Sequence, residues 1–142
     1  MKFLLQLFKK SKPRKLTLGE QGEQWAATEY TSRGYVVVGR NKTNTKGKRM
    51  GELDLVVTSA VAIIFVEVKT RTANSVRYGG GVYAVHTAKQ QRLVRAAHYF
   101  LGQHPEFAKL RPQIDVCLID VTDIDRQLYS VKIVENSVED LN

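Results

Sequence analysis

The stretch Val61-Ala-Ile-Ile-Phe-Val-Glu-Val68 constrains this chain more than any other. Apolar on both alternating faces for most of its length and rich in β-branched residues, it suits a central strand. Yet the run ends on Glu67, with Lys69 two residues on. Side chains alternate along a strand, so Glu67 and Lys69 share a face, roughly 6–7 Å apart, while Ile64, Val66 and Val68 point the other way into packing. Charges seldom enter such a strand without a reason.

Leu53-Asp-Leu-Val-Val57 reads as the preceding strand, and Thr58-Ser-Ala60 is short enough to join the two as an antiparallel hairpin. Asp54 is expected to face opposite to Leu53 and Leu55, and the hairpin register sets it beside Glu67. Two carboxylates held that close repel unless something positive lies between them. Oxygen-rich sites of this kind suit Mg²⁺ or Mn²⁺. An ammonium at Lys69 would then orient a water and offset charge on a phosphoryl transition state. The spacing Asp-x(12)-Glu-x-Lys is by itself a weak pattern whose bland alternative is a solvated ion pair; the apolar run before it favours chemistry.

Helices flank these strands. Thr17-Leu-Gly-Glu20 is a capping-box pattern opening a helix to about Ser32, with Gly34 as its stop. Its apolar stripe is Ala26, Ala27 and Tyr30, and Glu23 heads that stripe, so the helix carries an acid inward, where it could join the metal shell or hold a water. Tyr35–Val38 is a short strand, Arg40 to Arg49 a basic loop, and Tyr78-Gly-Gly-Gly81 a break. Thr87-Ala-Lys-Gln90 is a second capping box, starting a helix with the stripe Leu93, Ala96, Ala97, Phe100 and Leu101, and Lys89 at its head. Pro105 and Pro112 bracket a loop, and Ile114–Asp120 and Leu128–Val134 are two last strands. The order predicts an α/β domain: a mixed central β-sheet flanked by α-helices. Asp115 is expected to be a buried structural acid paired with a base, Trp25 packing or interface surface, and Glu20 a helix-dipole partner. His86, His98 and His104 show no ligand spacing.

Charge separates the chain further. Of 22 basic residues, six (Lys2, Lys9, Lys10, Lys12, Arg14, Lys15) lie in the first fifteen positions, leaving sixteen against fourteen acids in the rest. Residues 1–16 thus read as a basic N-terminal arm and 17–142 as one domain. The arm and the basic loop would attract a polyanion such as nucleic acid; the bland alternative is a solubilising surface. A lone Cys117 rules out an internal disulfide and a Cys-based zinc or redox motif. No apolar run approaches the roughly 20 residues of a membrane span. The apolar start is short, broken by Gln6 and followed by lysines, so the expected compartment is the cytoplasm.

Taken in order, Gly22-Glu23-Gln-Trp-Ala26, Gly34-Tyr35, Arg40-Asn41, Gly51-Glu52-Leu53-Asp54-Leu55, Phe65-Val66-Glu67-Val68-Lys69-Thr70-Arg71, Tyr78-Gly79, Lys89 with Arg92, and Asp115-Val116 resemble the YraN-like family of small bacterial proteins. Its members are similar to Holliday-junction resolvases and to nucleases with the restriction-endonuclease-like fold. The resemblance implies a restriction-endonuclease-like core, Asp54 and Glu67 as metal ligands with the Val68 carbonyl as a further one, Lys69 as the water-orienting group and Glu23 as the helix-borne acid. Two features depart from the family pattern: Pro112-Gln-Ile stands where an Arg-aromatic pair is usual, and the basic arm lies outside it.

The resulting expectation is a Mg²⁺- or Mn²⁺-dependent DNA endonuclease acting on branched DNA such as Holliday junctions. Lys48, Arg49, Arg71, Arg77 and Lys89 would contact phosphates, positioning the duplex without reading its sequence. Cutting two opposed strands would favour a homodimer. The competing expectation is a non-catalytic nucleic-acid-binding module on the same core. A membrane-surface role for the arm would leave the acidic set unexplained.

Overall fold

A computed structural model describes residues 13–42, 53–72 and 87–137. The first element, α1 (Leu18–Ser32), starts at the expected box: the Glu20 N–H donates to the Thr17 hydroxyl at 3.2 Å, and the Thr17 N–H donates to the Glu20 carboxylate at 2.8 Å. Gly34 follows it with φ +91°, the left-handed region open to glycine without a Cβ penalty. Then come β1 (Val36–Lys42), β2 (Leu53–Thr58), β3 (Ala62–Thr72), α2 (Thr87–Gln103), a 3-10 turn at Pro105–Phe107, β4 (Arg111–Asp123) and β5 (Leu128–Val134).

The sheet order is β1-β2-β3-β4-β5, with β3 in the centre as its apolar run requires. The β3–β4 pairing is parallel and the other three are antiparallel, so the sheet is mixed. Ser59 closes the β2–β3 hairpin, its N–H bonding to the Ala62 carbonyl at 2.9 Å. Between β3 and β4 the chain crosses over through α2, the usual way to join parallel neighbours.

Period-two alternation sorts the core into two layers. Ile64 and Val66 pack with Cys117, Ile119 and Val121 beneath Ala26, Ala27 and Tyr30 of α1. Ile63 and Phe65 face the opposite side, against Leu93, Ala96, Ala97 and Phe100 of α2. Trp25 of α1 stacks on Tyr129 of β5 at 4.2 Å, so it is a packing residue. At Gly22, α1 lies against β3 so closely that a Cβ would collide with the Thr70 hydroxyl and come within 2.9 Å of its Cβ. Cys117 is fully buried, and that burial pushes its thiol up to about 12. Among the described residues no helix is long and apolar enough to cross a membrane.

Three expectations are corrected. Strand β1 runs on through Arg40 to Lys42, past a register slip between Val37 and Gly39, so the basic segment begins as strand. Pro112 lies inside β4 rather than in a loop. The Arg111 N–H points at β3, where it meets the Val61 carbonyl at 3.0 Å, so the nitrogen of Pro112 faces the β5 side. There β5 pairs no further than Val116, and no ladder bond is lost. Asp115 is buried as expected, but its partners are three neutral donors instead of a base. The Tyr30 hydroxyl donates at 2.8 Å, the Gln113 amide at 2.7 Å and the Asn136 N–H at 3.0 Å. Tyr30 spans the α1 layer and Gln113 shares the face of Asp115, so the carboxylate is satisfied without burying a cation. Gln113 thereby supplies a contact that a base was expected to make.

Candidate active site

The β2–β3 ladder ends at the pair Leu55–Val66. Beyond it the strands part, and continuing the register would set Asp54 across from Glu67. Instead of backbone pairing, the Asp54 carboxylate accepts the Val68 N–H at 2.9 Å. The alternation of β2 slips at this point: Leu53 packs in the α2 layer and Leu55 in the α1 layer. The expectation that both face opposite to Asp54 is therefore corrected. Asp54 thus sits where the two strands part, its carboxylate held by β3.

Glu67 continues the Ile63–Phe65 face toward α2 and is 4% exposed. Two ammonium groups reach the same carboxylate oxygen, Lys89 Nζ at 2.9 Å and Lys69 Nζ at 3.6 Å. The Asp54 carboxyl lies near enough to Glu67 to feel its charge. Burial, followed by the charge of Glu67, pushes the Asp54 carboxyl up to about 7; Glu23 adds a smaller push, and the Val68 N–H works the other way.

On the α1 side, Asp54 opens into a cleft of about 190 Å³ lined by Leu16, Glu20, Glu23, Gln24, Arg40, Asn41 and Leu55. Glu23 thus adjoins Asp54. Among the described residues, however, no three His, Cys, Asp or Glu side chains lie close enough to hold one ion. Glu23 does not complete a three-carboxylate cage with the strand acids. Glu20 is engaged by the Arg14 guanidinium at 2.6 Å and, chiefly for that reason, is held down at about 2.

The expected phosphate contacts divide. Lys89 lies on Glu67, and Arg71 Nε lies 3.3 Å from Asp120 Oδ1 across the β3–β4 pair. Lys48, Arg49 and Arg77 fall outside the described residues. Arg40, expected as part of a basic loop and of the Arg40-Asn41 motif but with no role at the site, lines the cleft beside Asp54. The Lys89–Glu67 contact was missed as well. Its signal was the position of Lys89 at the head of the inward stripe of α2, the face toward which Glu67 points.

The sequence profile of the uncharacterised protein family UPF0102 matches residues 22–121. The chain belongs to UPF0102, the YraN family. A UPF0102 protein of Ralstonia pickettii is 42% identical over 109 residues, covering 75% of this chain and 79% of its own length. One from Synechococcus is 40% identical over 111 residues, covering 76% and 80%. Another, from Symbiobacterium thermophilum, is 39% identical over 108 residues, covering 76% and 81%. Glu23, Asp54, Glu67, Lys69 and Lys89 all fall inside the span that defines UPF0102, whereas the basic arm precedes it.

Proposed function

We propose that this UPF0102 chain is a Mg²⁺- or Mn²⁺-dependent endonuclease that hydrolyses phosphodiester bonds in DNA, with branched DNA such as Holliday junctions as its preferred form and a homodimer as its working unit. The observation that carries the reading is the nearness of the Asp54 and Glu67 carboxyl groups at the parted end of β2 and β3, with two lysine ammonium groups on Glu67. A mixed five-stranded sheet with a helix on each face is compatible with a restriction-endonuclease-like core.

The donor set fits a hard divalent cation. Two neighbouring carboxyl groups, one of them buried, favour a proton or a cation between them, and the raised proton affinity of Asp54, due first to burial and then to Glu67, expresses that. Mg²⁺ keeps several waters and needs only one or two carboxylates, so the lack of a three-acid cage is no obstacle. Asp54 and Glu67 would hold it. The Val68 carbonyl leaves β3 on the same edge as the N–H that reaches Asp54, and would be the third oxygen. When bound, such an ion activates water and polarises phosphoryl oxygens.

The chain's own side chains supply the rest. Lys69 orients the attacking water and stabilises charge as it grows on phosphorus. Glu23, in the cleft beside Asp54, holds a further water by its carboxylate. Arg40 at the same cleft offers a cation to a neighbouring phosphate.

One observation favours a second reading, a non-catalytic nucleic-acid-binding module: two lysines already neutralise Glu67 without any ion. The deciding experiment incubates purified protein with a labelled four-way junction, linear duplex and single strand in Mg²⁺, Mn²⁺ or EDTA, alongside Asp54→Ala, Glu67→Ala and Lys69→Ala. A nuclease cuts only with metal and loses cutting in all three variants while keeping most of its binding. A binding module cuts nothing under any condition and loses affinity steeply with salt.

A further inference from the structure

Glu67 is buried, and a buried carboxylate needs a counter-charge. Its strand neighbour Asp54 supplies another acid. Lys69 supplies an amine, but at 3.6 Å it is past good hydrogen-bond range. The close partner is Lys89, at 2.9 Å, carried by the first turn of α2. Its ammonium contacts Oε1, the same oxygen Lys69 approaches, at the mouth of the Asp54–Glu67 pair.

We infer that Lys89 is the resident counter-cation of Glu67, holding in the metal-free protein the charge position that a divalent ion takes over, so that loading the site drives the Lys89 ammonium off the carboxylate. The inference rests on Asp54 and Glu67 being metal ligands, as proposed above. A divalent ion on the pair and an ammonium on the same oxygen repel one another strongly in a partly desolvated site. Both lysine side chains are more than a third exposed, and Lys89, the closer of the two, is the one the ion displaces. Its side chain is 37% exposed, and a flexible four-carbon stem lets the ammonium swing into water while α2 stays packed through Leu93, Ala96 and Ala97. Thus Lys89 is a positioning residue: it holds the Glu67 carboxylate in place until the ion arrives.

The test uses the full-length wild-type chain with Mn²⁺ alone. Brief acylation of lysines, read by peptide mass spectrometry, is compared in EDTA and in Mn²⁺, with calorimetry recording metal affinity. Labelling at Lys89 rises severalfold with Mn²⁺, while the exposed Lys109 and Lys132 do not change. Lys89→Met binds Mn²⁺ about tenfold more tightly than wild type, because the competing charge is gone. Lys89→Arg, which keeps a cation, shows no such gain. Mn²⁺ binding with unchanged Lys89 labelling, or with no gain in Lys89→Met, overturns the displacement and leaves the metal site standing. Absence of Mn²⁺ binding by both wild type and Lys89→Met overturns the displacement and the metal site together. If circular dichroism shows Lys89→Met unfolded, the wild-type labelling decides alone.

Discussion

The carboxylate of Asp54, one residue past the last pair of the hairpin, accepts the backbone N–H of Val68, two residues past it, at 2.9 Å. A side chain thus does the work of a strand at the point where β2 and β3 separate. The bond also fixes where the Asp54 carboxyl meets Glu67. Asp54→Asn keeps the shape and an oxygen for the Val68 N–H but removes the charge. Cleavage of a junction substrate is expected to fall by at least about a hundredfold, while the fold, read by circular dichroism, is retained.

The Asp54 carboxyl also predicts how stability follows pH. Its pKa is raised from 3.8 to about 7 in the folded chain, so between those values the folded state holds a proton that the unfolded state has lost. The stabilisation is complete below the lower value and disappears as pH rises through the upper one. In EDTA the Tm of the wild type should therefore drop between pH 5 and pH 8 more than that of Asp54→Asn. Metal competes with the same proton, so Mn²⁺ affinity by calorimetry should tighten as pH rises through about 7. An identical pH slope in both proteins would contradict this account.

Tyr30 donates to Asp115, a residue 1% exposed, at 2.8 Å. Tyr30→Phe removes that donor and leaves the Gln113 amide and the Asn136 N–H to hold a buried carboxylate. The expected loss is about 1–3 kcal/mol in urea unfolding, with little effect on metal binding.

Gly22 tests the seat of α1. Gly22→Ala puts a methyl group into the Thr70 side chain. A loss of about 1–3 kcal/mol is expected, with α1 pushed off β3 and Glu23 drawn away from Asp54. Adding Thr70→Gly should restore most of the helix position in a crystal structure, although stability will not return fully because glycine weakens a strand.

Legibility of the fold tracked the range of the forces involved. The apolar run of β3, the Ser59 turn and the Thr17–Glu20 box are local patterns, and each formed where its residues implied. The parting of the hairpin at Asp54 was not readable. Leu53 and Leu55 look like one face of a strand, and only packing against two different helices sends them apart. The inward stripe of α2 puts Lys89 on the buried side of the helix, but which strand residue it meets depends on how α2 crosses the sheet. For Asp115, the Gln113 partner was within reach of an i, i+2 reading, whereas Tyr30 arrives from another layer. Pro112 looked like a breaker because its tolerance depends on where β5 stops.

The parallel pairing of Ala62 with Arg111 has a consequence for synthesis. The ladder at the centre of the sheet cannot zip until the whole of α2 and the turn after it have emerged and doubled back. Throughout that interval Ile63, Ile64, Phe65 and Val66, a flat greasy ribbon, wait with one edge uncovered, and Glu67 waits for Lys89. Exposed apolar strand of this kind favours association until its neighbour arrives.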